Sequence, residues 1–183
     1  MSKEYSLDHL DTTAFAKANA VIEGQDPLSA FERLAQEAQA SVEGMSVSWY
    51  AEGEHVPETA GPGHLWLHVE ADAQVPMICQ RCLGVAHIAL QVDRSFRFVK
   101  DEATAEAMDD EAEEDLLAAS KEFNVRALIE DELLMELPLV PMHDACPEVM
   151  PMASTDEDFE AASTEKTNPF AVLAGLRKNA GQD

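Results

Sequence analysis

The stretch HLWLHVEADAQVPMICQRCLGVAHIALQVDRSFRF, residues 64–98, contains two runs in which apolar and polar residues alternate. Every second residue from Leu65 to Val75 is apolar, and the even positions from Ala86 to Phe98 are apolar with one exception, Arg94. A period of two turns one side of each run toward a core and the other toward solvent. The stretch therefore predicts an antiparallel hairpin with one buried face.

The turn of this hairpin determines which residues oppose each other. With the tip between Gln80 and Arg81, Leu65 opposes Phe96, and all apolar positions of both runs lie on the same face. A shift by one residue would turn one run over and break this agreement. In the same register Cys79 and Cys82 face each other across the turn.

Three further segments have the patterns of regular structure. Asp26-Pro27 is typical of a helix start and predicts an amphipathic helix over 27–40, and alternation over 45–50 predicts a strand. Asn124 can cap a helix that runs to about Leu137, where Pro138 ends it. The fold class is therefore expected to be α+β, with an antiparallel sheet of three or more strands covered by two or three helices.

The remaining segments are acidic or short. Residues 101–115 contain no Lys or Arg and predict a solvated loop or a frayed helix within a single domain over 1–150. Residues 151–183 predict an acidic, flexible linker followed by a short C-terminal helix, which either docks on its own core or binds a partner's groove. The candidate partner-binding residues in this helix are Asn168, Pro169, Phe170, Leu173 and Leu176.

The three cysteines suggest a metal site rather than a disulfide framework. Cys79 and Cys82 have the C-x2-C spacing of half a zinc site, and His143 and Cys146 repeat that spacing. Together they predict a tetrahedral site for structural zinc, and reduced cysteines without metal are the alternative. A redox role is disfavoured because such a motif lies at a helix N-terminus, whereas this one lies between strands.

The net charge is the most unusual bulk property. The chain has 12 Lys and Arg against 36 Asp and Glu, a formal charge of −24 and a pI near 4.3. Proteins that hold nucleic acid directly use basic residues to displace counterions from phosphates. The charge disfavours that class of function and favours basic polypeptides as partners.

One short stretch nevertheless concentrates basic residues. Arg81, Arg94, Arg97 and Lys100 make the hairpin a candidate RNA-contacting patch. Arg94 and Arg97 differ in parity, however, and are expected to point to opposite faces of a regular strand. Direct RNA binding by residues 81–100 is therefore the alternative function, and scattered surface charge is the simpler interpretation.

Other functional classes lack a sequence signal. No apolar run approaches the ~20 residues of a membrane span, and Met1–Lys17 has no apolar segment of the signal-peptide kind, so we expect a reducing, cytoplasmic location. No glycine-rich phosphate loop or Ser–His–Asp arrangement points to catalysis or to a small-molecule substrate. A nuclease that binds a divalent metal through the acidic stretch is a weaker alternative, because those carboxylates select no site.

Several blocks of the sequence resemble a known family. CQRCL at 79–83, EDELLMELPLVPMH at 130–143 and NPFAVLAGLRK at 168–178 are similar in kind, order and distance to blocks of the YceD family. The segment Glu32-Arg33-Leu34 resembles its N-terminal block. None of these blocks is a catalytic signature.

The resemblance implies a bacterial, non-catalytic protein that promotes the synthesis, processing or stability of 23S ribosomal RNA. It also suggests a basic ribosomal protein as partner. Joined to the negative charge, it leads to the hypothesis that the chain escorts a basic large-subunit protein or a precursor particle, so that contact with rRNA is indirect.

Overall fold

A computed structural model provides the fold. All elements described below belong to one compact unit that ends at Pro147. The expected linker and C-terminal helix, with Asn168, Pro169, Phe170, Leu173 and Leu176, lie outside the described residues. The structure describes residues 5–59, 61, 63–109 and 111–147.

A five-stranded sheet with strand order β1-β2-β3-β4-β5 forms the centre of this unit. Strands β1 to β4 are antiparallel to their neighbours, whereas β5 runs parallel to β4. The α+β class is therefore confirmed, with a mixed sheet instead of a purely antiparallel one. The strands are β1 Val21–Pro27, β2 Ser46–Val56, β3 His64–Ile78, β4 Val85–Val99 and β5 Asp115–Ala118.

Helices cover one face of this sheet. Phe15 of α1, Leu34 of α2 and Ile129 of α4 are fully buried and share one core with the odd-numbered residues of β3. Among the described residues, no helix combines the length and apolar character needed to cross a membrane. The helices are α1 Thr12–Lys17, α2 Glu32–Glu37, α3 Glu102–Met108 and α4 Val125–Met135, with a 3-10 turn at Leu28–Ala30.

The buried and exposed faces of the central hairpin are those expected from the sequence, but the register of β3 against β4 differs from the expected one. Leu65 pairs with Phe98, not with Phe96. The expected register is wrong by two residues, and an even shift keeps every apolar residue on its own side of the sheet. The buried side of the hairpin is therefore the one that the alternation predicts.

The helix expected over 27–40 is wrong at its start. Residues up to Pro27 belong to β1, which pairs with β2. The Asp26 carboxylate accepts hydrogen bonds from Trp49 Nε1 at 2.8 Å and from Arg126 Nη1 at 2.9 Å. Asp26 therefore joins the sheet to α4 instead of capping a helix, and α2 begins only at Glu32.

Two other segments contain more regular structure than expected. Strand β2 continues to Val56, beyond the strand over 45–50 that the alternation predicts. The acidic segment 101–115, expected as a solvated loop or a frayed helix, contains α3, whose first turn is capped by Asp101. The cap of α4 is confirmed, since Asn124 Oδ1 accepts from the Ala127 N–H at 2.9 Å.

Candidate metal centre at the hairpin tip

The turn between β3 and β4 is tightly bonded. The Cys79 N–H donates to the Gly84 carbonyl and the Leu83 N–H to the Cys79 carbonyl, both at 2.9 Å. Cys79 thus opposes Gly84, and the expectation that it opposes Cys82 is wrong because the tip holds four residues instead of two. Leu83 takes the left-handed conformation, with φ 60°.

A second segment reaches the tip from the end of α4. Pro138 and Pro141 favour an extended chain after that helix. The Gln80 N–H donates to the Pro141 carbonyl at 2.9 Å, which fixes the segment beside the turn. His143 and Cys146 are thereby brought to the two cysteines of the hairpin.

The four side chains form one compact cluster. The ligand atoms of Cys79, Cys82, His143 and Cys146 all lie within 4.8 Å of one another. The Sγ atoms of Cys79 and Cys146 are 3.9 Å apart, and Cys82 Sγ is 3.4 Å from His143 Nδ1. A tetrahedral zinc ion with Zn–S bonds of about 2.3 Å separates two sulfurs by about 3.8 Å. The cluster therefore has the spacing of a zinc ligand set.

The histidine is oriented for ligation through one nitrogen. His143 Nε2 lies 3.0 Å from the Val85 carbonyl, which can only accept, so Nε2 carries the proton. This leaves Nδ1 with a free lone pair toward Cys82. Backbone carbonyls commonly hold metal-binding histidines in this manner. No pattern in the sequence indicated the contact between His143 and Val85.

The environment of the thiols favours a thiolate. A hydrogen bond from the Cys82 backbone N–H lowers the pKa of Cys79 to about 5, against the opposing effect of burial. At Cys82 the Gly84 N–H acts to lower the pKa, but burial and the neighbouring sulfurs of Cys146 and Cys79 leave it raised. One negative sulfur beside two other thiols is suited to bind a divalent cation.

Arg81 belongs to this cluster. Its Nε lies 3.0 Å from Cys146 Sγ, and its Nη2 donates to the His143 carbonyl at 3.0 Å. The guanidinium therefore offsets thiolate charge and fixes the second ligand segment. The position of Arg81 between Cys79 and Cys82 in the sequence is the feature from which its contact with the cluster could have been predicted.

The other three members of the candidate RNA patch lie apart. Arg94 is on the helix-covered face, with Nε 3.2 Å from Glu132 Oε2, while Arg97 is on the opposite face and pairs with Glu114. Lys100 Nζ is 3.4 Å from Asp101. Each cation thus has an acidic neighbour, and the four do not form one basic surface.

A Ser–His–Glu series on the sheet surface lacks the surroundings of an active site. Ser95 Oγ is 2.6 Å from His68 Nδ1, and His68 Nε2 is 3.2 Å from Glu54 Oε2. His68 and Glu54 are 37% and 50% exposed, respectively. Acyl transfer requires hydrogen-bond donors that converge on an oxyanion, and a site from which water is excluded. The exposed surface in the middle of a strand provides neither. These contacts are best explained as surface hydrogen bonds.

Comparisons with known proteins point to one family. The model of the family described as large ribosomal RNA subunit accumulation protein YceD matches residues 67–177. A Haemophilus influenzae protein named large ribosomal RNA subunit accumulation protein YceD is 31% identical over 107 residues. That match covers 57% of this chain and 60% of the relative, so the chain spans less than two thirds of its length. No solved structure matches the chain.

Proposed function

The chain belongs to the YceD family, and from that premise we propose that it is a non-catalytic, cytoplasmic factor that supports the synthesis, processing or stability of 23S ribosomal RNA. We propose that it acts by binding a basic ribosomal protein or a large-subunit precursor. The family description and the relative's name concern accumulation of large-subunit rRNA. The resemblance expected from the sequence blocks is thereby confirmed at the level of the family.

The observation that carries the binding model is the distribution of charge. The chain has a formal charge of −24. Among the described residues, Arg33, Arg94, Arg97 and Arg126 each pair with carboxylates, and Arg81 contacts the cysteine cluster. The arginines therefore serve internal contacts, while most carboxylates remain available to attract a cationic polypeptide.

An escort of this kind affects rRNA indirectly. A basic ribosomal protein that is not yet bound to rRNA exposes many positive charges and associates with the wrong polyanions. A negatively charged escort shields those charges until the precursor particle accepts the protein. We propose that rRNA is protected from degradation when ribosomal proteins bind it promptly.

Within this function, we propose that the Cys79, Cys82, His143 and Cys146 cluster holds a structural zinc ion. Its support is the spacing of the sulfur and nitrogen atoms and the orientation of His143. The four side chains would fill all positions around a tetrahedral ion, as in structural rather than catalytic zinc sites. The ion would fasten the segment after α4 to the hairpin tip.

Co-purification tests the binding model. The tagged full chain is recovered from cells at low and at moderate salt, and its companions are identified by mass spectrometry. We expect basic large-subunit proteins or precursor particles, with recovery that falls as salt rises. Absence of ribosomal material at low salt would contradict the proposal. Tight binding to protein-free rRNA would instead support the alternative of a direct RNA-binding module.

A further inference from the structure

Within the described residues, the sheet has a face that points away from the core helices α1, α2 and α4, here called the open face. Residues alternate along each strand, so those that do not point to the helices point away from them. The strand pairings align the members of this face in rows that cross β1 to β4. Its members include Glu23, Tyr50, Glu52, Glu70, Asp72 and Asp93.

One row of the open face is unusually acidic. Glu23 pairs with Tyr50, Tyr50 with Glu70, and Glu70 with Asp93, which places three carboxylates in one line across four strands. Asp72 follows in the next row. All four carboxylates are exposed. None of them has an ion-pair partner among the described residues.

This arrangement works against stability. Side chains directly opposite on antiparallel strands are about 4.5–5.5 Å apart at Cβ, and like charges there are destabilising. Glu70 and Asp93 occupy such a pair. Arg94, the neighbour of Asp93 in the sequence, points to the other face and pairs with Glu132. The repulsion on the open face is therefore not relieved within the described part of the chain.

The carboxylates of the open face also affect the Tyr50 hydroxyl. This hydroxyl donates to Glu52 Oε2 at 2.8 Å. This hydrogen bond, together with burial and the charges of Glu52, Glu70 and Glu23, raises the pKa of Tyr50. Carboxylates from three different strands thus act on one side chain, which shows that the negative field extends across the face.

Among the described residues, the carboxylates of the open face do not gather into a group of three or more that could hold a metal ion. Within the described residues, the side chains close enough to bind one ion together are Cys79, Cys82, His143 and Cys146. The acidic rows instead follow the spacing of the sheet, about 4.8 Å between strands and about 7 Å between alternate residues. A ligand that matches them must carry several cations on an extended frame. Alternate side chains of an extended peptide are about 7 Å apart, and long Lys and Arg side chains can adjust from this repeat to the spacing between strands.

We propose that the open face is the docking surface for the basic partner, and that it binds an extended, Lys- and Arg-rich segment across β1 to β4. This inference rests on the proposed function and specifies where that function takes place. Docking of cations on Glu23, Glu70, Asp72 and Asp93 relieves the repulsion that the free protein retains. Lys and Arg reach the carboxylates without displacing the backbone, because their side chains are long and flexible.

The test compares two triple variants of the full chain with equal change in charge. The face variant is Glu70→Gln, Asp72→Asn and Asp93→Asn. The control is Glu37→Gln, Glu43→Gln and Glu106→Gln, all exposed and outside the open face. Thermal unfolding verifies that both fold, and the face variant should melt at the same temperature or higher because opposed charges are removed.

Two probes are used at low salt. One is a synthetic peptide of alternating lysine and serine, titrated by calorimetry. The other is the total protein extracted from purified large ribosomal subunits, applied to the immobilised chain. We expect the wild type and the control to bind both probes. The affinity of the face variant for each probe should be lower by a factor of about ten or more.

The outcomes separate the docking surface from the function. Equal binding by the face variant and the control would overturn the open face as the docking surface and leave the escort function intact. A wild-type chain that retains no ribosomal protein would overturn the escort function, and this inference with it. Selective loss in the face variant would support both.

Discussion

Glu130 of α4 accepts two hydrogen bonds from Arg33 of α2, one from the backbone N–H at 2.7 Å and one from Nε at 3.0 Å. The same carboxylate accepts the Leu34 N–H at 3.2 Å. The first N–H groups of a helix have no acceptor within it. Glu130 therefore supplies to α2 the cap that its own sequence lacks, and two blocks that resemble the family meet in one structural contact.

Replacement of Glu130 by Ala is expected to destabilise the fold. It leaves the N–H of buried Leu34 without its acceptor, and an unsatisfied buried donor costs about 1–3 kcal/mol. Urea unfolding measures the change. Asp131→Asn is the matched control, since Asp131 also contacts Arg33 but is 54% exposed, and should change the unfolding free energy much less. Equal effects of the two variants would contradict the capping role.

Loss of one cluster ligand is expected to abolish zinc binding. Protein purified without added zinc should contain about one zinc ion per chain, and Cys146→Ser should contain far less, because three ligands hold a structural ion poorly. Elemental analysis measures the metal content. His87→Gln, a histidine outside the cluster, is the control. A metal-free wild type would show that the cluster consists of reduced thiols alone.

Arg81 is expected to strengthen the zinc site rather than bind RNA. Its guanidinium contacts Cys146 Sγ and the His143 carbonyl, so Arg81→Gln removes a group that orients two ligand residues. Loss of such outer contacts typically lowers metal affinity by about 10–100-fold. Competition with a chromophoric chelator measures the affinity, and Lys100→Gln is the control. Unchanged zinc affinity together with weakened RNA binding would favour the alternative function.

The Asp8–Arg126 pair is expected to make stability depend on acid pH. A hydrogen bond from Arg126 is the main reason that the pKa of Asp8 lies below its ordinary value of 3.8. A carboxyl whose folded pKa is depressed stabilises the fold above its unfolded pKa, and this contribution disappears as the pH falls through the folded pKa.

Asp8→Asn should therefore lower the melting temperature at pH 7 and have progressively less effect as the solution is acidified below the ordinary Asp pKa. Melting curves across this range measure the difference from wild type. Glu37→Gln, at an exposed carboxylate without an ion pair among the described residues, should show no such trend. A difference that grows on acidification would contradict the linkage.

Local patterns in the sequence were sufficient for part of the fold. Alternation over 64–98 identifies β3 and β4 and their buried faces, because side-chain direction in a strand depends only on parity. The cap by Asn124 is equally local, since its acceptor and its donor are three residues apart. The C-x2-C spacing of Cys79 and Cys82 and the same spacing of His143 and Cys146 likewise predict the residues that the structure brings together in the cysteine cluster.

Longer-range contacts decided the rest. The register of the hairpin depends on the bonds of its turn, and an even shift leaves the alternation unchanged. In the sequence Asp26 resembles a helix cap. In the structure its hydrogen-bond partners are Trp49 and Arg126, which lie 23 and 100 residues away.

The sequence by itself determined which faces of β3 and β4 are buried, which residues carry charge and which can ligate a metal, because these properties belong to single side chains and their near neighbours. Only the tertiary structure decided that Arg81 lies against Cys146, 65 residues away, and that Glu70 and Asp93 meet across two strands. The physical reason is that strand pairing and loop closure bring distant residues together, and local periodicity contains no information about their partners.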